Sequence, residues 1–144
     1  MMPNLLVVCL GNHCRSPFAQ LALARRGGPR LAVRSAGLIG KWQDQPAHSA
    51  MINAARRLGY DLTAHRARQI SLDMLEWADR VLAMDASVLA TLRAVCGPEN
   101  ENKLRRYLGD GDVPDPMGQD DAAFHECAVL IEVGTVLHTA GRIR

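Results

Sequence analysis

A chain of 144 residues has the length of one ordinary domain, so we expect a single domain spanning residues 1–144. Its 48% of apolar and 22% of charged residues are typical of a globular protein, and a chain of this length can bury one core without disulfides. A formal net charge of +2 gives no reason to expect a nucleic-acid partner, and no apolar run reaches the roughly 18 residues that membrane insertion needs.

The chain contains four cysteines, Cys9, Cys14, Cys96 and Cys127. The N-terminus lacks the basic stretch and cleavage site of a secretory signal, which favours a cytoplasmic location. In that reducing compartment we expect free thiols, used for catalysis or for packing, rather than disulfides. No pair or cluster has metal-ligand spacing, so we expect no metal and no cofactor.

The first elements are a strand and a helix. Residues 5–10 form a continuous apolar run, typical of a strand buried on both faces. The following helix is predicted to begin with Ser16 as its N-cap and Pro17 in its first position, and to end at the glycine pair 27–28. Residues 31–35 are then a second strand candidate.

Three further helices and two further strands follow in the pattern. Helical spacing covers residues 47–58, Ser71 caps a short helix, and residues 80–84 form a third strand. Asp85 is the predicted N-cap of the next helix, and a weak fourth strand lies near residues 104–108. The inward positions of that helix are predicted to be Val88, Leu92 and Val95.

The last element is predicted as a helix on which Phe124, Cys127, Ile131 and His138 recur at helical spacing, with Gly134 as a weak point. Strands and helices therefore alternate along the chain. This alternation predicts an α/β fold in which a single parallel sheet of four strands is covered by helices on both faces. Such sheets bind ligands at the carboxyl ends of their strands, where Cys9 lies.

The segment Cys-Leu-Gly-Asn-His-Cys-Arg, residues 9–15, joins the first strand to the first helix. Successive backbone N–H groups in such a loop can surround one phosphate, with a helix N-terminus behind them. Arg15 can complete this ring with bidentate hydrogen bonds, and the positive loop favours the Cys9 thiolate. Gly11 and Asn12 are expected to supply left-handed backbone conformations. The predicted phosphate-binding loop comprises Leu10, Gly11, Asn12, His13, Cys14 and Ser16.

The spacing of Cys9 and Arg15 is a weak signal alone, and its position between a strand and a helix makes it stronger. The alternative is a tight turn that merely buries a cysteine. A nucleotide-binding P-loop is disfavoured because no Gly-Lys-Ser/Thr ends the loop.

The sequence resembles the low-molecular-weight protein tyrosine phosphatases over nearly its whole length. The resemblance rests on residues 9–17, Ser35-Ala36, residues 64–70, Met84-Asp85 and Asp115-Pro116. Bacterial members that act with capsule or exopolysaccharide tyrosine kinases are similar in length. The resemblance implies a flavodoxin-like, four-stranded parallel sheet and hydrolysis of phosphotyrosine through a phosphocysteine on Cys9, without a metal. It also implies a tyrosine-phosphorylated protein as partner, including a bacterial tyrosine kinase.

The general acid is expected in the acidic stretch 109–121. Composition alone does not choose among its aspartates, Asp110, Asp112, Asp115, Asp120 and Asp121, and a solvated acidic loop is the simpler alternative. Asp115 alone stands before a proline as in the family, and Pro116 restricts the backbone there. Its implied role is to protonate the leaving phenolic oxygen and then to activate water.

Other residues match supporting positions of the family. Asn12, Ser16, Ser35 and His65 are implied to brace the loop, although Ser16 as a helix cap and His65 as a core histidine are simpler readings. Trp42 is implied to form an aromatic wall of the substrate pocket.

Two positions depart from the family pattern and bear on substrate preference. Met117 stands where the family commonly has an aromatic residue. His13 stands where the family often has an apolar one, and we expect it to titrate near its ordinary pKa of about 6.5 and to add positive charge at the mouth of the cleft.

Cys14 lies in the same loop as Cys9, so we expect either a protective disulfide with oxidised Cys9 or simple packing. Two rival functions remain. A thiol-dependent arsenate reductase needs two further cysteines close together, whereas Cys96 and Cys127 are distant in sequence. A non-catalytic phosphotyrosine-binding module needs neither the nucleophile nor the acid.

Overall fold

The structure, a computed structural model, describes residues 3–139. Within that range four strands form one parallel sheet: β1 (Asn4–Cys9), β2 (Ala32–Gly37), β3 (Arg80–Ala83) and β4 (Leu104–Arg106). Their order is β2-β1-β3-β4, so β1 lies in the interior. All residues of β1 after the first are buried, which is why this strand has a continuous apolar sequence.

Helices cover both faces of this sheet. They are α1 (Arg15–Gly27), α2 (Ser49–Arg57), α3 (Leu72–Trp77), α4 (Ala86–Val95), α5 (Asp121–Gly134) and α6 (Val136–Thr139). Leu5 and Val7 pack on the face of α1, α2 and α5, whereas Leu6 and Val8 pack on the face of α3 and α4. The predicted α/β fold is therefore confirmed. In residues 3–139, none of the helices combines the length and the apolar character needed to span a bilayer.

The start of α1 differs from the prediction. The helix begins at Arg15 and its N-cap residue is Cys14, which makes no side-chain capping bond, so the prediction of Ser16 as N-cap is wrong. The Ser16 hydroxyl lies instead 3.0 Å from the Cys9 Sγ. Pro17 is the third helical residue rather than the first, a position whose N–H has no partner within the helix in any case.

The α4 helix confirms one cap and corrects one packing prediction. The Asp85 Oδ1 accepts the N–H of Val88 at 2.8 Å, as an N-cap should. Val88 and Leu92 are buried, but Val95 is 60% exposed, so its predicted inward position is wrong. The helix ends at Val95, and the next residue, Cys96, is buried in its place.

The predicted final helix is divided at its weak point. α5 ends at Gly134 and α6 begins two residues later. A Cβ at position 134 would lie 2.8 Å from the side chains of Leu108 and Tyr107. Close packing of α5 on the end of β4 therefore requires glycine there.

The carboxyl ends of the strands meet at one edge of the sheet, and Cys9 pairs with Gly37 in that register. A Cβ at Gly37 would lie 2.5 Å from the carbonyl carbon of Gly11. The loop after β1 therefore rests directly on the end of β2, and this contact fixes its height above the sheet.

Candidate active site

The loop from Cys9 to Arg15 curls at the end of β1, with α1 behind it. Asn12 has a φ of 55°, so it supplies the predicted left-handed conformation. Gly11 is not among the residues with positive φ, so that prediction for Gly11 is wrong. It is glycine for a different reason, because a Cβ there would lie 2.3 Å from the Cζ3 of Trp42.

Asn12 lies at the centre of a hydrogen-bond network beneath the loop. Its buried amide Nδ2 donates to the Ser16 Oγ at 2.9 Å and to the Ser35 Oγ at 3.0 Å. Its Oδ1 accepts the backbone N–H of Arg68 at 2.8 Å. The Ser35 hydroxyl donates in turn to the Gln20 Oε1 at 2.6 Å. Asn12 is thus held from three sides, which fixes the unusual backbone conformation of the loop.

His65 supports the same residue from the outside. Its Nε2 lies 2.9 Å from the backbone carbonyl oxygen of Asn12, and this geometry requires the ring to carry its proton on Nε2 and donate it. Burial lowers the pKa of His65 below its ordinary value, so the ring is neutral at neutral pH. The structure therefore brings Asn12, Ser16, Ser35 and His65 together, as the sequence predicted.

Arg15 is held by two acceptors below the loop. Its Nη1 donates to the Asp85 Oδ2 at 2.7 Å and to the carbonyl oxygen of Val113 at 2.9 Å, and its side chain is only 3% exposed. Burial is the largest influence and would lower the pKa of Arg15, but the hydrogen bond to Asp85 and the charges of Cys9, Asp115 and Asp85 together outweigh it, and the pKa is raised. Both hydrogen bonds are donated by Nη1, so the other terminal nitrogen, Nη2, takes part in neither of them. The guanidinium is fully charged and fixed in direction.

Asp85 performs two tasks with its two oxygens. Oδ1 caps α4 through the N–H of Val88, and Oδ2 accepts from Arg15. Burial is the largest influence and would raise the pKa of Asp85, but the hydrogen bond from Arg15, the backbone N–H groups at the start of α4 and the Arg15 charge together outweigh it, and the pKa is lowered. The sequence indicated only the cap, because nothing in the local pattern connects residue 85 to residue 15.

Asp115 is the aspartate of the acidic stretch that reaches the loop. Its Oδ2 lies 3.8 Å from the Arg15 Nη2, and its Oδ1 accepts the N–H of Met117 at 3.1 Å. Asp112 is instead paired with Arg106 at 2.9 Å, and Asp120 caps α5.

Cys9, Arg15 and Asp115 line one cleft of about 110 Å³. It is lined by Cys9, Leu10, Gly11, His13, Cys14, Arg15, Trp42, Asp115 and Met117. Of the five aspartates between 109 and 121, Asp115 alone is among these lining residues. The cleft therefore brings together a thiol, a guanidinium and a carboxyl group between apolar walls.

Trp42 lies beside the loop, as predicted. Its ring stacks on the His13 ring with centroids 4.6 Å apart and an interplanar angle of 5°. Burial lowers the pKa of His13, and the neighbouring His48 lowers it further. The expectation that His13 titrates near its ordinary pKa and adds positive charge to the cleft is therefore wrong, because the half-buried ring is neutral at neutral pH.

Cys14 faces the loop that carries Asp115. Its side chain is buried, and its Sγ lies 3.2 Å from the Met117 Sδ. Burial raises the pKa of Cys14 well above the usual thiol range, and the nearby Cys9 raises it further. The residue thus packs as a protonated thiol in this state.

The match to known proteins extends over almost the whole chain. A model of the low molecular weight phosphotyrosine protein phosphatase family matches residues 4–138. The chain belongs to this family. It is 34% identical over 137 residues to a probable low molecular weight protein-tyrosine-phosphatase, EpsP, of Ralstonia nicotianae, a match that covers 93% of this chain and 92% of the relative.

Solved structures of tyrosine phosphatases share the fold. The Wzb protein of Vibrio vulnificus in complex with benzylphosphonate superposes with a TM-score of 0.88 at 26% identity, covering 95% of this chain and 97% of that one. Wzb of Escherichia coli K30 in complex with sulphate gives a TM-score of 0.86 at 30% identity, with 94% of each chain covered.

In this member of the phosphatase family, sequence reasoning missed the contacts that cross the fold. Gln20 of α1, the backbone of Arg68 and the carbonyl of Val113 all contact the loop network, and Arg68 and Val113 lie in loops distant from it in sequence. No pattern within one element identifies them. Among residues 3–139, no three His, Cys, Asp or Glu side chains are grouped so that they could hold a metal ion.

Proposed function

We propose that this chain hydrolyses phosphotyrosine in proteins, and small aryl phosphates, through a phosphocysteine intermediate. The observation that carries the proposal is the convergence of Cys9, Arg15 and Asp115 on one cleft, with the Ser16 hydroxyl 3.0 Å from the Cys9 Sγ. Membership of the phosphatase family supports the same reaction.

In the first step the Cys9 thiolate attacks phosphorus, and the bond from phosphorus to the phenolic oxygen breaks. The protonated Asp115 carboxyl donates its proton to that leaving oxygen. The Ser16 hydroxyl donates to the thiolate before attack. Arg15 and the backbone N–H groups of the loop bind the phosphoryl oxygens as charge develops on them.

In the second step a water molecule attacks the phosphocysteine. The Asp115 carboxylate accepts a proton from this water, the sulfur–phosphorus bond breaks, and Cys9 returns as a thiolate while inorganic phosphate leaves. Asp115 regains its acidic form, so the same group serves as acid and then as base. Two acceptors fix Arg15, so it needs little reorganisation during either step.

An arsenate reductase relay is disfavoured by the placement of the other thiols. Cys96 packs in the core on the α3 and α4 face, on the opposite side of the sheet from Cys9. Cys127 packs in the core on the face of Cys9, so Cys96 and Cys127 lie on opposite sides of the sheet and are not the neighbouring pair that the relay needs.

The physiological partner that we propose is a tyrosine-phosphorylated protein, with a bacterial tyrosine kinase as the specific candidate. The match to EpsP, a probable low molecular weight protein-tyrosine-phosphatase, supports a tyrosine-phosphorylated protein as the partner. We propose the cytoplasm as the compartment, because the reaction requires Cys9 to remain a free thiol and reducing surroundings maintain it.

The test uses Asp115→Asn with two substrates that differ in their leaving groups. General acid catalysis contributes about 10²–10⁴-fold, and it matters most for a basic leaving oxygen. The variant should therefore lose about that factor on a phosphotyrosine peptide and far less on p-nitrophenyl phosphate, whose phenol is acidic. Phosphate release measured over pH gives both rates.

Asp120→Asn is the matched control, since asparagine keeps the cap of α5 and the residue lies in the same acidic stretch. It should leave both rates unchanged. If Asp120→Asn or Asp112→Asn shows the leaving-group dependence instead, the assignment of Asp115 is wrong. Turnover of arsenate with thioredoxin, or binding of phosphotyrosine without turnover, would favour one of the two rival functions.

A further inference from the structure

Four aromatic rings form a continuous row from the cleft to the core. Trp42 stacks on His13 at 4.6 Å, and His13 meets the edge of His48 at 5.4 Å with an angle of 70°. His48 stacks in turn on Phe124, with centroids 4.7 Å apart. Phe124 is only 2% exposed and belongs to α5. The row therefore links the wall of the cleft to a buried side chain.

Trp42 depends on side-chain contacts for its position. It lies in a turn outside any helix or strand, where the backbone gives the ring little support. One ring edge rests on Gly11, where a Cβ would lie 2.3 Å from Cζ3. The Lys41 ammonium lies 4.8 Å from the ring centroid, and this lysine is exposed. The parallel contact with His13 is thus the ring contact that ties Trp42 to the phosphate-binding loop.

His13 is itself firmly anchored. Its carbonyl oxygen accepts the N–H of His48 at 2.9 Å. His48 caps α2 by accepting the N–H of Ala50 on Nδ1 at 3.0 Å, so its ring has a fixed orientation. The His13 Nδ1 is buried without a hydrogen-bond partner, so this nitrogen does not orient the ring. A hydrogen bond with the backbone of Pro46 also holds the ring, so the imidazole presents a fixed, flat face to Trp42.

We propose that His13 is a positioning residue that holds the Trp42 indole in place over the cleft and thereby selects flat aryl phosphates. This inference rests on the proposed phosphatase function. Because the stack on His13 already immobilises the Trp42 ring, that ring loses no further conformational entropy when the substrate ring packs on it. The stack therefore favours substrate binding. The phosphocysteine no longer carries an aryl group, so its hydrolysis is independent of the wall. The effect should therefore appear in KM and not in kcat.

The experiment compares His13→Leu, which keeps apolar bulk but removes the flat ring, with His13→Phe, which keeps a ring. Both variants are made in a Trp77→Phe background. The sequence has two tryptophans, so Trp42 is then the one that fluoresces. Trp77 lies at the end of α3 and packs in the other core, so its replacement also serves as the control. Time-resolved fluorescence anisotropy then reports the motion of Trp42.

His13→Leu should raise KM for a phosphotyrosine peptide roughly 2- to 12-fold, the factor that corresponds to the loss of one aromatic pair. Its kcat should remain within about twofold because the chemical groups are untouched. Trp42 should gain a fast component of motion. His13→Phe should restore both KM and the slow anisotropy decay. Inhibition by vanadate, which has no ring, should be equal in all variants.

Several results would overturn the inference. One is a His13→Leu protein with unchanged KM and unchanged Trp42 motion. Another is a His13→Phe protein as impaired as His13→Leu, since the imidazole nitrogens and not the stack would then matter. Free nanosecond rotation of Trp42 in the protein with His13 intact would also contradict it, even if a variant fails to fold. A failure of the phosphatase proposal is distinguishable, because no variant would then release phosphate while the anisotropy comparison still stands.

Discussion

Replacing Asp85 separates the two tasks of its carboxylate. Asparagine keeps an oxygen that can cap α4 at Val88 but removes the charge that faces Arg15 at 2.7 Å. Removing one partner of a buried ion pair costs about 3–5 kcal/mol. Here the Asp85 side chain is 20% exposed, and Arg15 keeps the Val113 carbonyl as an acceptor. We therefore expect Asp85→Asn to lower the free energy of unfolding by about 2–3 kcal/mol.

Asp85→Ala loses the cap as well, which adds about 1 kcal/mol. Asp120 provides the matched pair of controls, because it caps α5 through the N–H of Ala123 at 3.0 Å and, among residues 3–139, pairs with no arginine. Asp120→Asn should be close to neutral, and Asp120→Ala should lose about 1 kcal/mol. The four values come from urea unfolding followed by circular dichroism.

Asp85→Asn should also lower kcat/KM, because Arg15 loses the acceptor that fixes its direction, whereas Asp120→Asn should not. The reasoning would be refuted if Asp85→Asn matched wild type in both urea midpoint and kcat/KM. A stability loss equal to that of Asp120→Asn would likewise show that the ion pair contributes nothing.

The remaining predictions concern oxidation and pH. After inactivation by peroxide, a thiol reductant should restore most activity to wild type and little to Cys14→Ser. The reason is that a disulfide with Cys14 protects the sulfenic acid of Cys9 from further oxidation. Equal recovery in the two proteins would mean that Cys14 is only a packing residue. Burial lowers the pKa of His65 below 6.5 in the folded protein, so the unfolded chain binds more protons than the folded one as the pH falls. The contribution of His65 to the free energy of unfolding is therefore fully present above pH 6.5 and is lost as the pH falls through the folded pKa. Calorimetry should show a smaller drop in Tm between about pH 7.5 and about pH 5.5 for His65→Gln than for wild type, and an equal drop would contradict this.

The fold was predictable because its signals are local. The apolar run of β1, the caps Ser71 and Asp85, and the glycine at 134 each lie within the element that they define. Ser16 misled the prediction because its hydroxyl serves the Cys9 thiol rather than the helix. A capping pattern cannot distinguish these two partners.

The candidate site was predictable where it is contiguous in sequence and less so elsewhere. Residues 9–15 could be identified from one segment, and the Asp-Pro pair directed attention to Asp115. The second task of Asp85 and the stack of His13 on Trp42 depend on which elements the fold brings together. The lowered pKa of His13 has the same origin, since burial in the assembled fold causes it.

The central claim is that phosphate passes through the sulfur of Cys9. Wild-type protein mixed with a phosphotyrosine peptide and quenched in acid within one turnover should carry one phosphoryl group on the peptide that contains Cys9, as read by mass spectrometry. Cys9→Ser should carry none and should release no phosphate, while still binding vanadate through the intact loop. Steady turnover by Cys9→Ser, or a phosphoryl group on any other residue of wild type, would contradict the account.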